Sequence, residues 1–127
     1  MKAIIDTHTF LWMATEPERL PAKARAACEQ AELLLSVASV WEIGIKWEMK
    51  KLPIPSPPRE FIALNIRRGG ISILPIHYRH ALAAAALPML HKDPFDRMIA
   101  AQCIEEGLPC VTRDTSIASY GVETIWE

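Results

Sequence analysis

Five carboxylates stand where the chain passes from one element to the next: Asp6, Glu42, Asp93, Asp96 and Asp114. Each has a local explanation. Asp6 follows Ala3-Ile4-Ile5 and precedes a helical stretch, and aspartate is a good helix N-cap. Glu42 completes Ser39-Val40-Trp41-Glu42, which has capping-box spacing, and it precedes Lys46 by four residues, the favourable order for a helical ion pair. Asp93-Pro94-Phe95-Asp96 reads as a helix start, with Asp93 as the cap and Asp96 in the first turn. Asp114 closes Val111-Thr112-Arg113 and is placed to cap a turn beginning at Thr115.

The set carries more than its members. One acid is enough to cap a helix, and a second within a turn adds repulsion that a cation relieves. Carboxylates drawn to one place raise one another's pKa unless a proton or a cation intervenes. Helix N-termini offset only roughly 0.3–1 kcal/mol each. Hard oxygen donors without imidazole or thiolate favour Mg²⁺ or Mn²⁺. Such an ion acidifies a bound water and steadies charge on a phosphoryl oxygen. No serine–histidine pair or nucleophilic cysteine offers another engine. His77 and His80 fall on an alanine-rich stretch and His8 and His91 are isolated, so all are expected on the surface or in packing. His91, two residues before Asp93, is the one able to approach the acids.

The elements that must bring these acids together alternate in type. Short apolar runs at residues 3–5, 33–35, 71–74, 109–112 and 122–126 read as strands. Helical patterns occupy 8–14, 21–31, 36–51, 59–68, 77–87 and 94–106, with a helical turn at 115–120. The prolines at 53, 55, 57 and 58 must end the long helix before them. Strands alternating with helices imply parallel pairing through right-handed crossovers. The expected fold is a three-layer α/β/α sandwich with a central, mostly parallel sheet, in a single domain over residues 1–127. Ligand sites of such sheets lie beyond the carboxyl ends of the strands, where Asp6 and Asp114 each close a strand and Glu42 and Asp96 open helices.

Composition narrows the setting. Half the residues are apolar, enough for a buried core. No apolar run reaches the roughly 18 residues of a membrane span, and Asp6 interrupts the start too early for a secretory segment, so a cytoplasmic protein is expected. Cys28, Cys103 and Cys110 are odd in number and form no C-x-x-C, which fits reduced, packed thiols. The net charge is −1, yet without the five candidate acids the basic residues outnumber the acidic ones. Between positions 46 and 68 stand Lys46, Lys50, Lys51, Arg59, Arg67 and Arg68 against Glu48 and Glu60, a tilt that suits a phosphate backbone or a solvated helix face. Trp41 and Trp47, with Ile43 and Ile45, make the 36–51 helix apolar around much of its girth.

Four stretches resemble the PIN-domain family, and within it the VapC-type toxins of bacterial toxin–antitoxin pairs. They are Ile5-Asp6-Thr7-His8-Thr9-Phe10-Leu11-Trp12, the run from Ser36 through Ser39-Val40-Trp41-Glu42-Ile43-Gly44 to Lys46, His91-Lys92-Asp93-Pro94-Phe95-Asp96-Arg97, continuing to Gln102, and Val111-Thr112-Arg113-Asp114. They span nearly the whole chain, and the second and third are the most specific. The resemblance implies an endoribonuclease that uses Mg²⁺ or Mn²⁺ and is silenced by a cognate antitoxin. It places the family's four acids on Asp6, Glu42, Asp96 and Asp114. Asp6 and Asp96 are then expected as the direct ligands, with Glu42 and Asp114 acting through water or completing a second metal position. Asp93 is an extra acid able to hold a metal-bound water, and Thr112 matches a small hydroxyl residue near the fourth acid and is expected as a substrate contact. Arg97 and Arg113, beside the acids, are candidate contacts to RNA phosphate, or else partners of a neighbouring acid. The apolar 36–51 helix is read as core, or as the surface of a homodimer or of the antitoxin contact. Two other classes compete: a phosphoaspartate-type α/β protein, for which Asp6-Thr7-His8 lacks the usual second acid, and a non-catalytic interaction module whose acids only cap helices.

Overall fold

Apolar residues alternate between the two faces of the inner strands, and the layers follow from that alternation. In the computed structural model, which describes residues 1–127, β1 (Lys2–Ile5), β2 (Glu32–Ser36), β3 (Ser72–Leu74), β4 (Cys110–Val111) and β5 (Thr124–Ile125) form one parallel sheet. Its order is β3-β2-β1-β4-β5. Ala3, Ile5, Leu33, Leu35 and Val111 turn to one face. There they meet Phe10 of α1 (Thr7–Thr15), Ala24 and Ala27 of α2 (Ala22–Gln30), Ile43 of α3 (Val37–Glu48), and Phe61 and Ile62 of α4 (Pro58–Gly69). Ile4 and Cys110 turn to the other face, against Ile99, Ala100 and Cys103 of α6 (Pro94–Glu106) and Ile117 of α7 (Thr115–Ala118). The helix α5 (Tyr78–Ala86) packs on α6. A sheet buried on both sides has near-continuous apolar strands, which is how Ala3-Ile4-Ile5 and Leu33-Leu34-Leu35 read.

The chain runs outward from β1 through β2 to β3, then returns to place β4 on the other side of β1. Strand order reverses between β1 and β4, and a crevice opens at that point beyond their carboxyl ends. Asp6 lies directly after β1 and Thr112 directly after β4.

Several boundaries differ from the sequence expectation for physical reasons. The long helix stops at Glu48, ahead of the prolines, because Lys50 takes a left-handed conformation with φ of 57°. Its start at Val37 lies within a residue of the expected one, capped not by Ser39 but by the Ser36 hydroxyl, which accepts from the Ala38 amide. The fourth strand ends at Val111, so Asp114 lies beyond it, as the cap of α7. A 3₁₀ turn at Pro17–Arg19 was not anticipated. Trp41, for which core or an interface surface was expected, is 64% exposed, its ring edge-on to Phe95 with centroids 5.5 Å apart. Trp47 does pack against the core. The three cysteines are free, with Cys103 and Cys110 buried. Burial pushes the Cys28 thiol up to about 11, and the contact with Cys103 together with burial holds Cys110 well above the usual thiol range. No helix is long and apolar enough to cross a membrane.

Candidate active site

Asp6 is 4% exposed and is held by two donors. Its Oδ1 accepts from the Thr9 amide at 2.9 Å, the N-cap bond of α1, and its Oδ2 accepts from the Thr112 hydroxyl at 2.5 Å. The same hydroxyl accepts from the Asp114 amide at 2.9 Å, so one threonine ties the end of β1 to the turn after β4. Thr9 adds a second tie, its hydroxyl donating to the Val111 carbonyl at 2.9 Å. Thr112 is itself buried. Its hydroxyl donates to Asp6 and accepts from the Asp114 amide, so its proton is engaged in orienting the Asp6 carboxylate.

Glu42 enters from α3 and is 4% exposed. Thr7 donates to its Oε1 at 2.6 Å, and Lys46 lies 2.6 Å from Oε2. The helical ion pair read from the sequence is present, whereas the capping box is not. Ser39, in place of capping, sits 2.9 Å from the Thr7 hydroxyl.

The third group lies on the rim. Asp93 Oδ1 accepts from the amides of Phe95 and Asp96 and so caps α6. Asp96 Oδ2 lies 2.9 Å from His91 Nε2, and Asp114 Oδ2 lies 3.9 Å from the same nitrogen. Asp114 Oδ1 caps α7 through the Ser116 amide at 2.8 Å. One ligand atom from each of His91, Asp93 and Asp96 falls within 4.8 Å of the others. Burial, then the charges of Asp93, Asp114 and Glu42, push the Asp96 carboxyl up to about 7, against the lowering pull of His91. The hydrogen bond to Asp96 raises His91 above the ordinary histidine range, with the charges of Asp96, Asp114 and Asp93 adding and burial opposing. A proton shared across that contact supplies the positive charge that the crowded acids call for.

The five predicted acids thus lie along one edge of the sheet, as the topology requires. His91, the one histidine the sequence allowed to approach the acids, adds a nitrogen beside their oxygens. Its signal was its position two residues ahead of Asp93. The residues fit a divalent cation: several carboxylates converge, and burial, then the charges of its neighbours, push the Asp96 carboxyl up to about 7.

The two arginines separate. Arg97 donates through Nη1 to the carbonyls of Pro88 and His91 and to the Tyr120 hydroxyl, and through Nη2 to those of Ala84 and Leu87. Its guanidinium clamps the segment between α5 and α6, and its hydrogen bonds go to carbonyls and a phenol rather than to an acid. Arg113 is exposed and borders a cavity of about 490 Å³ shared by Asp6, His8, Trp12, Asp114 and Trp126. The threonines at 7 and 9 and the indoles at 12 and 126 were not singled out from the sequence. Thr7-His8-Thr9 at a helix start, with two hydroxyls flanking one exposed residue, was the available signal.

A parallel sheet in this order, with carboxylates gathered where β1 and β4 part, defines a carboxylate-centred α/β domain. The PIN domain model matches residues 3–123, and the chain belongs to that family. It is similar to Ribonuclease VapC22 of Mycobacterium tuberculosis, with 32% identity over 122 residues, which cover 92% of this chain and 90% of that protein. In fold it is similar to VapBC2 from Rickettsia felis, solved bound to a DNA fragment from their promoter, with a TM-score of 0.73, 13% identity and complete coverage, 100%, of both chains. FitAcB from Neisseria gonorrhoeae is also similar, with a TM-score of 0.59 and 23% identity over 98% of this chain and 96% of that one.

Proposed function

We propose that this chain is a metal-dependent endoribonuclease and the toxin member of a toxin–antitoxin pair. The observation that carries the reading is geometric: one ligand atom from each of His91, Asp93 and Asp96 lies within 4.8 Å of the others, and burial with the charges of Asp93, Asp114 and Glu42 pushes the Asp96 carboxyl up to about 7. A cluster in that electrostatic state is prepared for a cation. The kinship with a protein named as a ribonuclease supplies the substrate class.

Asp6 and Asp96 are assigned as the direct ligands of Mg²⁺ or Mn²⁺, with Asp114 and Asp93 reaching it directly or through water. Glu42, whose two oxygens already serve Thr7 and Lys46, is assigned an outer role. A divalent ion held there supplies charge to steady a phosphoryl oxygen and acidity to a water. The chain's own residues do the rest. Thr112 and the Thr9 amide fix the Asp6 carboxylate, and Arg113 stands free to take a phosphate of the RNA backbone. The buried and doubly engaged Asp6 makes a poor phosphate acceptor, which weighs against the phosphoaspartate reading. The exposed Trp41, seated on Phe95, is assigned to the surface covered in a homodimer or by the antitoxin. A cytoplasmic location and a single domain complete the reading.

The test is cleavage of a single-stranded RNA by the purified chain. Manganese or magnesium should support it, excess chelator should abolish it, and Asp96→Asn should remove it with either ion. Cleavage that survives in chelator or in that variant overturns the assignment.

A further inference from the structure

Beside the acids lies a surface that the proposed chemistry does not use. Trp12 of α1 and Trp126, just after β5, lean together with ring centroids 5.8 Å apart and planes at 47°. Both are half-buried and wall the cavity of about 490 Å³ that Asp6 and Asp114 border. Arg19, itself 3.3 Å from Glu16, lies against the Trp12 ring at 4.1 Å from its centroid, so the indole is braced. Arg113 stands farther from the same ring, at 5.7 Å. Two indoles, Arg113 and His8 around an open cavity form a combination with a specific chemical meaning. Aromatic faces accept the π-surface of a nucleobase, and guanidinium groups accept phosphate.

We propose that Trp12 and Trp126 form a stacking shelf for one nucleobase of single-stranded RNA next to the scissile phosphate, with Arg113 holding the phosphate of that nucleotide. The assignment rests on the ribonuclease reading above and extends it to a substrate subsite. Continuity supports it: the cavity shares Asp6 and Asp114 with the acidic site, so a strand placed on the acids must lay its next unit here. Size supports it as well, since small-molecule sites run from roughly 300 to 1,000 Å³. Composition separates it from a protein-docking groove. The two indoles are the only hydrophobic residues among the eight that line this cavity. The apolar groove of the molecule lies elsewhere, along Trp41, Ile45, Trp47, Pro57 and Pro58. Stacking requires unpaired bases, so the shelf reads single strands and not duplexes.

The experiment measures binding in chelator, where no cleavage occurs, using a fluorescently labelled six-nucleotide 2′-O-methyl RNA and the full chain. Trp126→Leu and Trp12→Leu should each bind about 5- to 150-fold more weakly, the span of one lost base stack, and Trp12→Phe should recover most of the loss. An oligomer with an abasic site at the stacked position should bind wild type and Trp126→Leu within about two-fold of each other, because neither then has a stack to lose. Arg113→Ala should lower the slope of log affinity against log salt by about 0.7. Should a tryptophan variant fail to fold, crosslinking of a 4-thiouridine oligomer to the unaltered protein takes its place, with adducts expected at Trp12 or Trp126. Equal affinities in folded variants, or adducts confined to the groove beside Trp41, overturn the shelf. The two readings fail separately. A chain that cleaves RNA with manganese but binds without these indoles keeps its function and loses the shelf. A chain that binds through them but never cleaves keeps the shelf and loses the function.

Discussion

Removing one negative charge from the cluster should make the metal-free protein more stable while it destroys activity. Asp96→Asn isolates that effect. Asp93, not Asp96, accepts the first-turn amides of α6, so the helix keeps its cap, and the asparagine oxygen can still accept from His91. In the wild type, burial and the charges of Asp93, Asp114 and Glu42 hold the Asp96 carboxyl at about 7, well above the usual 3.8. At 1.36 kcal/mol for each pH unit the ceiling on that cost is about 4 kcal/mol. Solvent reaches the side chain, which is 20% exposed. Screening there reduces the cost to about 1–2 kcal/mol.

The folded-state pKa lies above the unfolded one, so the cost is absent below about pH 4, grows as pH rises, and is complete above about pH 7. Thermal unfolding in chelator, followed by circular dichroism at pH 4, 6 and 8, reads it directly. The variant should match wild type at pH 4 and exceed it by about 4–8 °C at pH 8. Manganese should then raise the wild-type midpoint more than that of the variant, since only a ligand bound to the native state stabilises it. Equal midpoints at pH 8, or a gap that widens toward acid, would refute the claim that these carboxylates repel one another.

Three further outcomes follow from the same geometry. Thr112→Val keeps the shape but withdraws the donor to buried Asp6 and the acceptor for the Asp114 amide, so it should cost about 1–3 kcal/mol in urea unfolding and lower cleavage; unchanged values would show the hydroxyl to be idle. Arg97→Ala should lose about 2–3 kcal/mol of stability because carbonyls around the α5–α6 segment lose their clamp, whereas Arg113→Ala should leave the midpoint unchanged and weaken RNA binding. Hydrogen bonds from buried His80 and from Arg79 hold Glu106 below the usual glutamate range, so its contribution is present above the unfolded pKa and fades as pH falls through the folded one. Glu106→Gln should therefore lower the thermal midpoint at pH 7, with a gap that closes in acid.

What the sequence could express was whatever depends on neighbours along the chain. Ala3-Ile4-Ile5 and Leu33-Leu34-Leu35 announced strands buried on both faces, and Pro94 with Gly107 bracketed α6 within a residue of its observed ends. Topology then placed Asp6, Asp96 and Asp114 on one edge without any knowledge of distance. What stayed hidden depends on partners far away in the chain. Thr112 reads as a substrate contact until its bond to Asp6, 106 residues distant, is seen. Arg97 reads as a free cation because carbonyl acceptors carry no signature in a sequence. Trp41 stayed open between core and interface for a related reason: a helix apolar on several sides is buried by something, and the sequence cannot say whether that is the same chain.

The rivalry between capping and metal binding, which left every acid ambiguous when read alone, dissolves in the structure. Asp93 and Asp114 each give one oxygen to the amides of a helix N-terminus and leave the other without a helical partner. The cap fixes the side chain's rotamer, and the N-terminal dipole offsets part of its charge, by roughly 0.3–1 kcal/mol. Both effects prepare the remaining oxygen for a cation. Asp6 follows the same plan, with Thr112 on its second oxygen as a donor that a carboxylate can keep while it also binds a metal. Glu42 departs from it, since Lys46 already neutralises its outer oxygen. The acid farthest from a helix start is thus the one that arrives with its own counter-ion, in keeping with the outer role proposed for it.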